Sequence, residues 1–306
     1  MSSPAPDANN DPSPQRVAKW IAASGLCSRR DAEAWIAEGR VSLDGETLTS
    51  PAVAIEDPER LKVDGEPLPD PSDLRVFRFY KPVGVLVTDK DPMGRKTVYD
   101  MLPKREHGDI PMPRLMAVGR LDINSEGLLL LTTSAALKRK LEDPASGYPR
   151  TYRVRVYGRV KPQALEALAK GIESEGVRYE PIIAQLETEK ESGANRWIRF
   201  KLTEGKNREI RKVCAHLGLE VSRLIRIGYG DVKSAGLRPG ELSEISKTRL
   251  QPLFGMGIER KSSWAKAKKT PKRIGIGAKR KPGAPKADAG ASGGEANKKP
   301  GGRGKA

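Results

Sequence analysis

Arg120, Asp122 and Glu126 stand within seven residues of one another, bracketed by Gly119 and Gly127 and followed at once by four leucines at 128–131. The chemistry within reach of such a knot is that of a single positioned carboxylate. Taken alone, the stretch "VGRLDINSEGLLLLT" is also a tight turn carrying an exposed ion pair. A second group of charges lies in "EGKNREIRKVCAHLG", residues 204–218. There Asn207 reads as an N-cap, Ile210, Val213, Cys214 and Leu217 trace an apolar stripe, and Gly218 closes a helix. Arg208, Arg211 and Lys212 flank the stripe, with cations in a first turn where the helix dipole favours acids. Such a helix offers Asp122 a cation, and an arginine within roughly 4–6 Å of a carboxyl favours its ionised form.

Other catalytic kits are missing from the sequence. His107 and His216 have no metal-ligand spacing, and His216 reads as a helix-end residue. Ser125 lies in "NSEG" and not in a G-x-S-x-G elbow. There is no P-loop and no dinucleotide-type glycine fingerprint. What is left is an aspartate, arginines and tyrosines, with no metal and no cofactor implied.

The elements that must hold these groups follow from periodicity. The leucines at 128–131 predict a short strand buried on both faces, because so apolar a run cannot face water. Val17, Trp20, Ile21 and Ser24 fall at helical spacing before Gly25, and Ala32, Trp35, Ile36 and Gly39 repeat it. Ser28 reads as the N-cap of the second helix, with Asp31 in capping-box position. "RVSLDGETL" and "RLKVDGEPL" alternate around Asp-Gly, the turn chemistry of hairpins. Arg29 and Arg30 occupy the first turn of the second helix, where they read either as two solvated cations or as partners, with the free N–H groups, of a bound phosphate.

A Pro/Asp-rich linker at 71–75 leads to a larger unit. It mixes strand-like stretches ("VFRFYKP", "GVLVT", "GLLLLT", "TYRVRVYG", "RWIRFKLT", "SRLIRIGYGDV") with helix-like ones ("PQALEALAKGI", "NREIRKVCAHLGL") in no regular alternation. That order predicts an α+β fold around a mixed, mostly antiparallel sheet.

Composition narrows the partner. The 306 residues carry a net charge of +17, with 37% apolar and 31% charged residues, and the pI is about 9.8. Residues 260–306 alone hold +13 among Gly, Pro, Ala and Ser, leaving +4 for the rest. Such a tail is expected to be disordered, either as a solubilising extension or as an electrostatic arm for nucleic acid. Cys27 and Cys214, far apart in sequence, suit a reducing compartment. The first residues carry no basic and apolar signal-peptide pattern, and no apolar run spans a bilayer. Length and composition thus predict two folded domains with tails, a polyanionic partner and no membrane.

"SRRDAEAWIAEGRVSLDGE" closely resembles the S4 RNA-binding domain, whose helices and hairpin present a basic face to folded RNA. "GRLDINSEGLLLLT" resembles the signature of the RsuA/RluB/RluE/RluF family of ribosomal RNA pseudouridine synthases. "YKPVGVLVT…DPMGRKTVYDMLP" (80–103), "RTYRVRV" (150–156) and "EGKNREIRKV" (204–213) fit the same family in the same order. The resemblance spans about residues 15–255. It implies a disordered N-terminus at 1–14, an S4 domain at 15–74, a pseudouridine synthase domain with a central cleft at 75–255, and a disordered tail at 256–306.

The activity implied is the isomerisation of uridine to pseudouridine in ribosomal RNA, most like the RluB type that acts on the large subunit. No cofactor enters, since no redox change or external group is involved. By the resemblance Asp122 is the catalytic carboxylate, acting by attack on the nucleotide or by removal of a ribose proton. Tyr152 stacks on the flipped base, Arg211 pairs with the aspartate, Arg120 enters the vacated space, and Ile210 packs on the base. Lys206, Asn207, Arg208, Arg29 and Arg30 complete the expected RNA contacts. The expected state is a cytoplasmic monomer acting on ribosomal RNA or a pre-ribosomal particle. The rival is a non-catalytic RNA-binding or ribosome-assembly factor on the same fold.

Overall fold

The computed structural model describes residues 14–69, 74–105, 112–187 and 195–256. The basic tail from Gly257 onward, residues 1–13, most of the 71–75 linker and His107 lie outside the described residues.

Two short helices open the described chain, Val17–Ala23 and Arg29–Ala37. Ser28 caps the second: Asp31 N donates to its Oγ at 3.1 Å, while Ser28 N donates to Asp31 Oδ2 at 3.3 Å. The predicted capping box is therefore formed, and it satisfies two of the end N–H groups that a helix leaves unpaired. Behind the helices runs an antiparallel sheet in the order Glu46–Thr47, Val41–Leu43, Leu61–Val63, Glu66–Pro67. Both Asp-Gly pairs make its hairpin turns, with φ positive at Asp44, Gly45, Asp64 and Gly65. That is the type I′ requirement that Asp-Gly meets best. Val17, Ile21, Ala32, Ile36, Val41 and Leu61 form a core of their own.

Among the described residues the larger sheet has nine strands. Its main path runs Ile183–Leu186, Asn195–Leu202, Arg150–Tyr157, Glu220–Tyr229, Glu126–Thr132, Val76–Lys81, Leu242–Glu244. Every pairing is antiparallel except that of Ile225 and Arg226 with Glu126 and Gly127. The expected mixed, mostly antiparallel α+β sheet is present. "GVLVT" does not join it; only Leu86 makes an isolated bridge, to Thr97. Gly84 turns at φ +84° and donates its N–H to Ile123 O at 2.8 Å, which draws this segment over the Asp122 turn instead.

The leucine strand is buried along its whole length. Leu128 and Leu130 pack with Leu137, Leu141, Leu250 and Phe254, and Leu129 and Leu131 with Phe77 and Phe79 on the other face. Strand alternation sends successive side chains to opposite faces, so four consecutive leucines are what two covered faces require. One edge of this strand pairs from Gly127 to Thr132 with Val76–Lys81. The other forks: Glu220–Tyr229 takes its first two residues and Met116–Val118 its last three.

Candidate active site

Asp122 lies where the chain arrives at that strand. Ser125 N donates to Asp122 O at 3.0 Å, closing a turn whose next residue, Glu126, begins the strand. Gly127 makes the fork possible. At φ +101° a Cβ there would stand 2.3 Å from Arg226 O, so only a glycine lets the parallel strand approach. In the crotch of the fork Arg226, itself buried, donates Nε to Leu128 O at 2.6 Å.

Lys81 fastens the turn from beneath. It is fully buried and donates Nζ to Ser125 O at 2.7 Å, Pro82 O at 3.0 Å and Ile123 O at 3.5 Å. Burial pulls its ammonium down to about 8, against the opposing attraction of Asp122 and Glu126. Arg211 fastens the turn from the side, donating Nη2 to Asn124 O at 3.0 Å and Nη1 to Val221 O at 3.4 Å. Burial lowers its affinity for the proton and the Arg208 charge lowers it further, while Asp122 counteracts both. Among the described residues Arg211 and Asp122 form no direct ion pair, and neither do Arg120 and Asp122. The expected arginine–aspartate pair is replaced by a hold on the backbone two residues further on.

Asp122 opens onto a cleft of about 960 Å³, which Arg120, Tyr152, Ile210 and Arg211 also line. Arg120 is exposed, Tyr152 half-buried and Ile210 buried. Tyr152 occupies the strand Arg150–Tyr157, in register with Phe200 on one side and Arg226 on the other. Two buried guanidinium atoms on this cleft, Arg211 Nε and Arg226 Nη2, have no hydrogen-bond partner. Lys19, Arg29, Arg120 and Arg208 give the cleft walls a cationic lining, which suits an anionic ligand.

The 204–209 segment corrects one expectation. The helix is Glu209–His216, and its N-cap is Arg208, left-handed at φ +52°, not Asn207. The Glu209 carboxylate reaches back instead, accepting from Lys206 N at 2.9 Å. Lys206 is itself committed: its Nζ meets Glu204 Oε2 at 2.6 Å and donates to Arg178 O at 2.6 Å. Asn207 and Arg208 are exposed on the cleft wall. Burial and the neighbouring Glu204 carboxyl push Glu209 up to about 8. Lys19, Ser28 and Arg29 bring the first helical unit to the same cleft, whereas Arg30, exposed, is not among the residues that line it.

Lys81, Arg226, Arg150 and the Glu204–Glu209 pair are the residues that sequence reasoning missed. Lys81 had a signal: in "VFRFYK" it shares strand parity with Phe77 and Phe79, and so falls at a core position. Arg150 donates to Leu141 O, Glu142 O and Tyr229 Oη at 3.0–3.2 Å, a structural clasp that its sequence context did not announce.

Residues 15–57 match the S4 domain and residues 75–216 match RNA pseudouridylate synthase. An RNA pseudouridine synthase of Rickettsia felis is 42% identical over 237 residues, covering 78% of this chain and 99% of that protein. The chain belongs to the RNA pseudouridine synthase family. Ribosomal large subunit pseudouridine synthase B of Yersinia pestis is 37% identical over 237 residues, 76% of this chain and 72% of that one. Its namesake from Salmonella typhimurium is 38% identical over 251 residues, 79% of this chain and 83% of that one. A crystal structure of a pseudouridylate synthase superposes with a TM-score of 0.54 at 26% identity, covering 78% of this chain and 99% of the other. As an RNA pseudouridine synthase the protein is an isomerase of uridine in RNA, with an S4 domain ahead of its catalytic fold.

Proposed function

We propose that this synthase converts a uridine of large-subunit ribosomal RNA to pseudouridine, with Asp122 as the catalytic carboxylate. The observation that carries the reading is the placing of Asp122 on a turn tied down by Lys81 and Arg211 at the wall of a cationic cleft. A catalyst needs its reacting group held in one geometry, and this carboxylate has that support. The large-subunit substrate is supported by the two relatives named for that subunit.

In the reaction the C1′–N1 bond breaks, the base turns, C5 bonds to C1′, and the proton displaced from C5 is balanced by one gained at N1. Asp122 serves it by attack on C1′ or by removal of a ribose proton. The target uridine has to leave its stack to turn, and a flipped base is held by stacking. Tyr152 supplies that face, Ile210 the apolar wall and Arg120 the group that fills the vacancy. Asn207, Arg208 and Arg29 meet phosphates along the rim. The enzyme works as a cytoplasmic monomer without metal or cofactor, on ribosomal RNA or a pre-ribosomal particle.

Asp122→Asn removes the charge and basicity while keeping the size. Pseudouridine formation should fall by about 10²–10⁴-fold, the range for losing one positioned acid–base group. RNA affinity should hold or rise, since a negative charge near a polyanion is gone. Chemical mapping of pseudouridine in ribosomal RNA from a deletion strain identifies the target. Full activity of the Asn variant would sink the assignment of Asp122 and return the "GRLD" stretch to a structural turn.

A further inference from the structure

Glu126 stands four residues beyond Asp122 and is buried, with 6% of its surface exposed. A buried carboxylate is costly unless every lone pair is matched. Here Arg223 donates Nε to Oε1 at 2.6 Å and Nη2 to Oε2 at 3.1 Å, and Tyr80 Oη donates to Oε2 at 3.1 Å. Tyr80 comes from Val76–Lys81 and Arg223 from Glu220–Tyr229, the two strands that flank Glu126 in the sheet. One carboxylate therefore joins three strands at the level where the Asp122 turn enters them. Nothing in the reaction itself uses it.

Resting on the reading that Asp122 is the catalyst, we infer that Glu126 is a positioning residue that fixes the Asp122 turn, through Tyr80 and Arg223 directly and through the charge of Lys81. The second route follows from counting protons. Lys81 faces three carbonyls, and a charged ammonium has three N–H donors to match them; a neutral amine has two donors and turns a lone pair towards the third. The charged groups around Lys81 are Asp122 and Glu126, which hold the proton on, and Arg226, which repels it. Those around Glu126 are Arg223 and Lys81, with the Tyr80 hydroxyl, and Arg223 keeps the carboxyl below its ordinary range against the cost of burial. Glu126 is thus ionised at working pH and helps, together with Asp122, to keep the buried lysine charged.

The test compares Glu126→Gln, Tyr80→Phe and Asp122→Asn with wild type by single-turnover rate at saturating RNA, RNA affinity and rate against pH. Glu126→Gln should lower the saturated rate by about tenfold or more with affinity within about twofold, the pattern of a contact that matters only at the chemical step. Its alkaline limb should move to lower pH, because Lys81 loses one of the two carboxylates that keep it charged. Tyr80→Phe leaves the Glu126 charge in place, so the rate should fall by a few-fold with the limb unmoved.

A saturated rate unchanged by Glu126→Gln, or a lost rate with an unmoved limb, overturns the inference. Should Glu126→Gln fail to fold, Tyr80→Phe decides: a slower rate at wild-type affinity sustains it, and an unchanged rate overturns it. Full activity of Asp122→Asn is a separate outcome, which removes the catalytic reading itself.

Discussion

Arg211 holds the Asp122 turn by the carbonyl of Asn124, 3.0 Å from its Nη2, and among the described residues forms no ion pair with the Asp122 carboxylate. On the proposal that Asp122 is the catalyst, this matters: a carboxylate locked in a bidentate pair would have to break it before reacting, whereas one whose backbone is clamped keeps both oxygens for the substrate. The same guanidinium reaches Val221 O, so one planar group ties the turn to the strand beyond the helix.

Arg211→Lys keeps the charge but cannot span both carbonyls, because a flexible ammonium does not reproduce the guanidinium fork. Hydrogen bonds to charged groups contribute about 1.5–3 kcal/mol, so the saturated rate should fall by about tenfold to a hundredfold. Single-turnover measurement at saturating RNA checks this, and a rate equal to wild type would show that charge alone suffices.

Gly127→Ala tests the fork. The added Cβ meets Arg226 O at 2.3 Å and Arg226 N at 2.9 Å in a backbone conformation that disfavours any side chain. Denaturant unfolding should show a loss of about 3 kcal/mol or more, the range for strain at a special backbone angle. A loss under about 1 kcal/mol would mean that the parallel strand can move aside.

Glu209 makes stability depend on pH. Its carboxyl titrates near 8 in the folded protein against an ordinary 4.5, raised by burial first and by Glu204 second. The native state therefore binds more protons than the unfolded one between these values. The stabilisation is complete below about pH 4.5 and is lost as pH rises through about 8. Glu209→Gln imitates the protonated acid, so its stability curve should be flatter across that window. The variant should be more stable than wild type at pH 8 by a margin on the order of a few kcal/mol. Parallel curves for the two proteins would show that the pair carries no such proton.

Arg29 and Arg30 should differ. Arg29 lines the cleft and Arg30 does not, so Arg29→Ala should weaken RNA binding more than Arg30→Ala. Each lost phosphate contact lowers the slope of log affinity against log salt by about 0.7–0.9. The saturated rate should stay near wild type in both variants. Equal losses in the two would move the RNA away from the cleft wall.

Much of the scaffold was legible because local chemistry dictated it. The Ser28–Asp31 box, the two Asp-Gly turns and the buried leucine strand each follow from a few neighbouring residues. Family signatures carried Asp122, Tyr152, Ile210 and Arg211 to one cleft that periodicity alone would not have assembled. What escaped was long-range. Strand parity marks Lys81 as a core position, but its carbonyl partners come from a turn distant in sequence, as do the Tyr80 and Arg223 partners of Glu126, and Arg226 gains its place only from the parallel pairing. The helix start at Glu209 was misjudged because Asn207 is a good cap in isolation. Here, however, the Glu209 carboxylate satisfies Lys206 N, and Arg208 adopts the capping position.

The leucine strand has one further consequence, for how the protein fails when heated. Its backbone is paired from Gly127 to Thr132 on one edge and at both ends of the other, and in the fork between them the Leu128 carbonyl is taken by Arg226. Amides in such a ladder exchange with solvent only when the sheet as a whole opens, so this strand belongs to the last region to melt. Asp122 sits four residues from its first paired residue and is fastened to it through Lys81. The Asp122 turn is therefore expected not to fray ahead of the fold. Loss of activity and loss of structure should occur at one temperature, with no window in which a folded protein has already lost its active site.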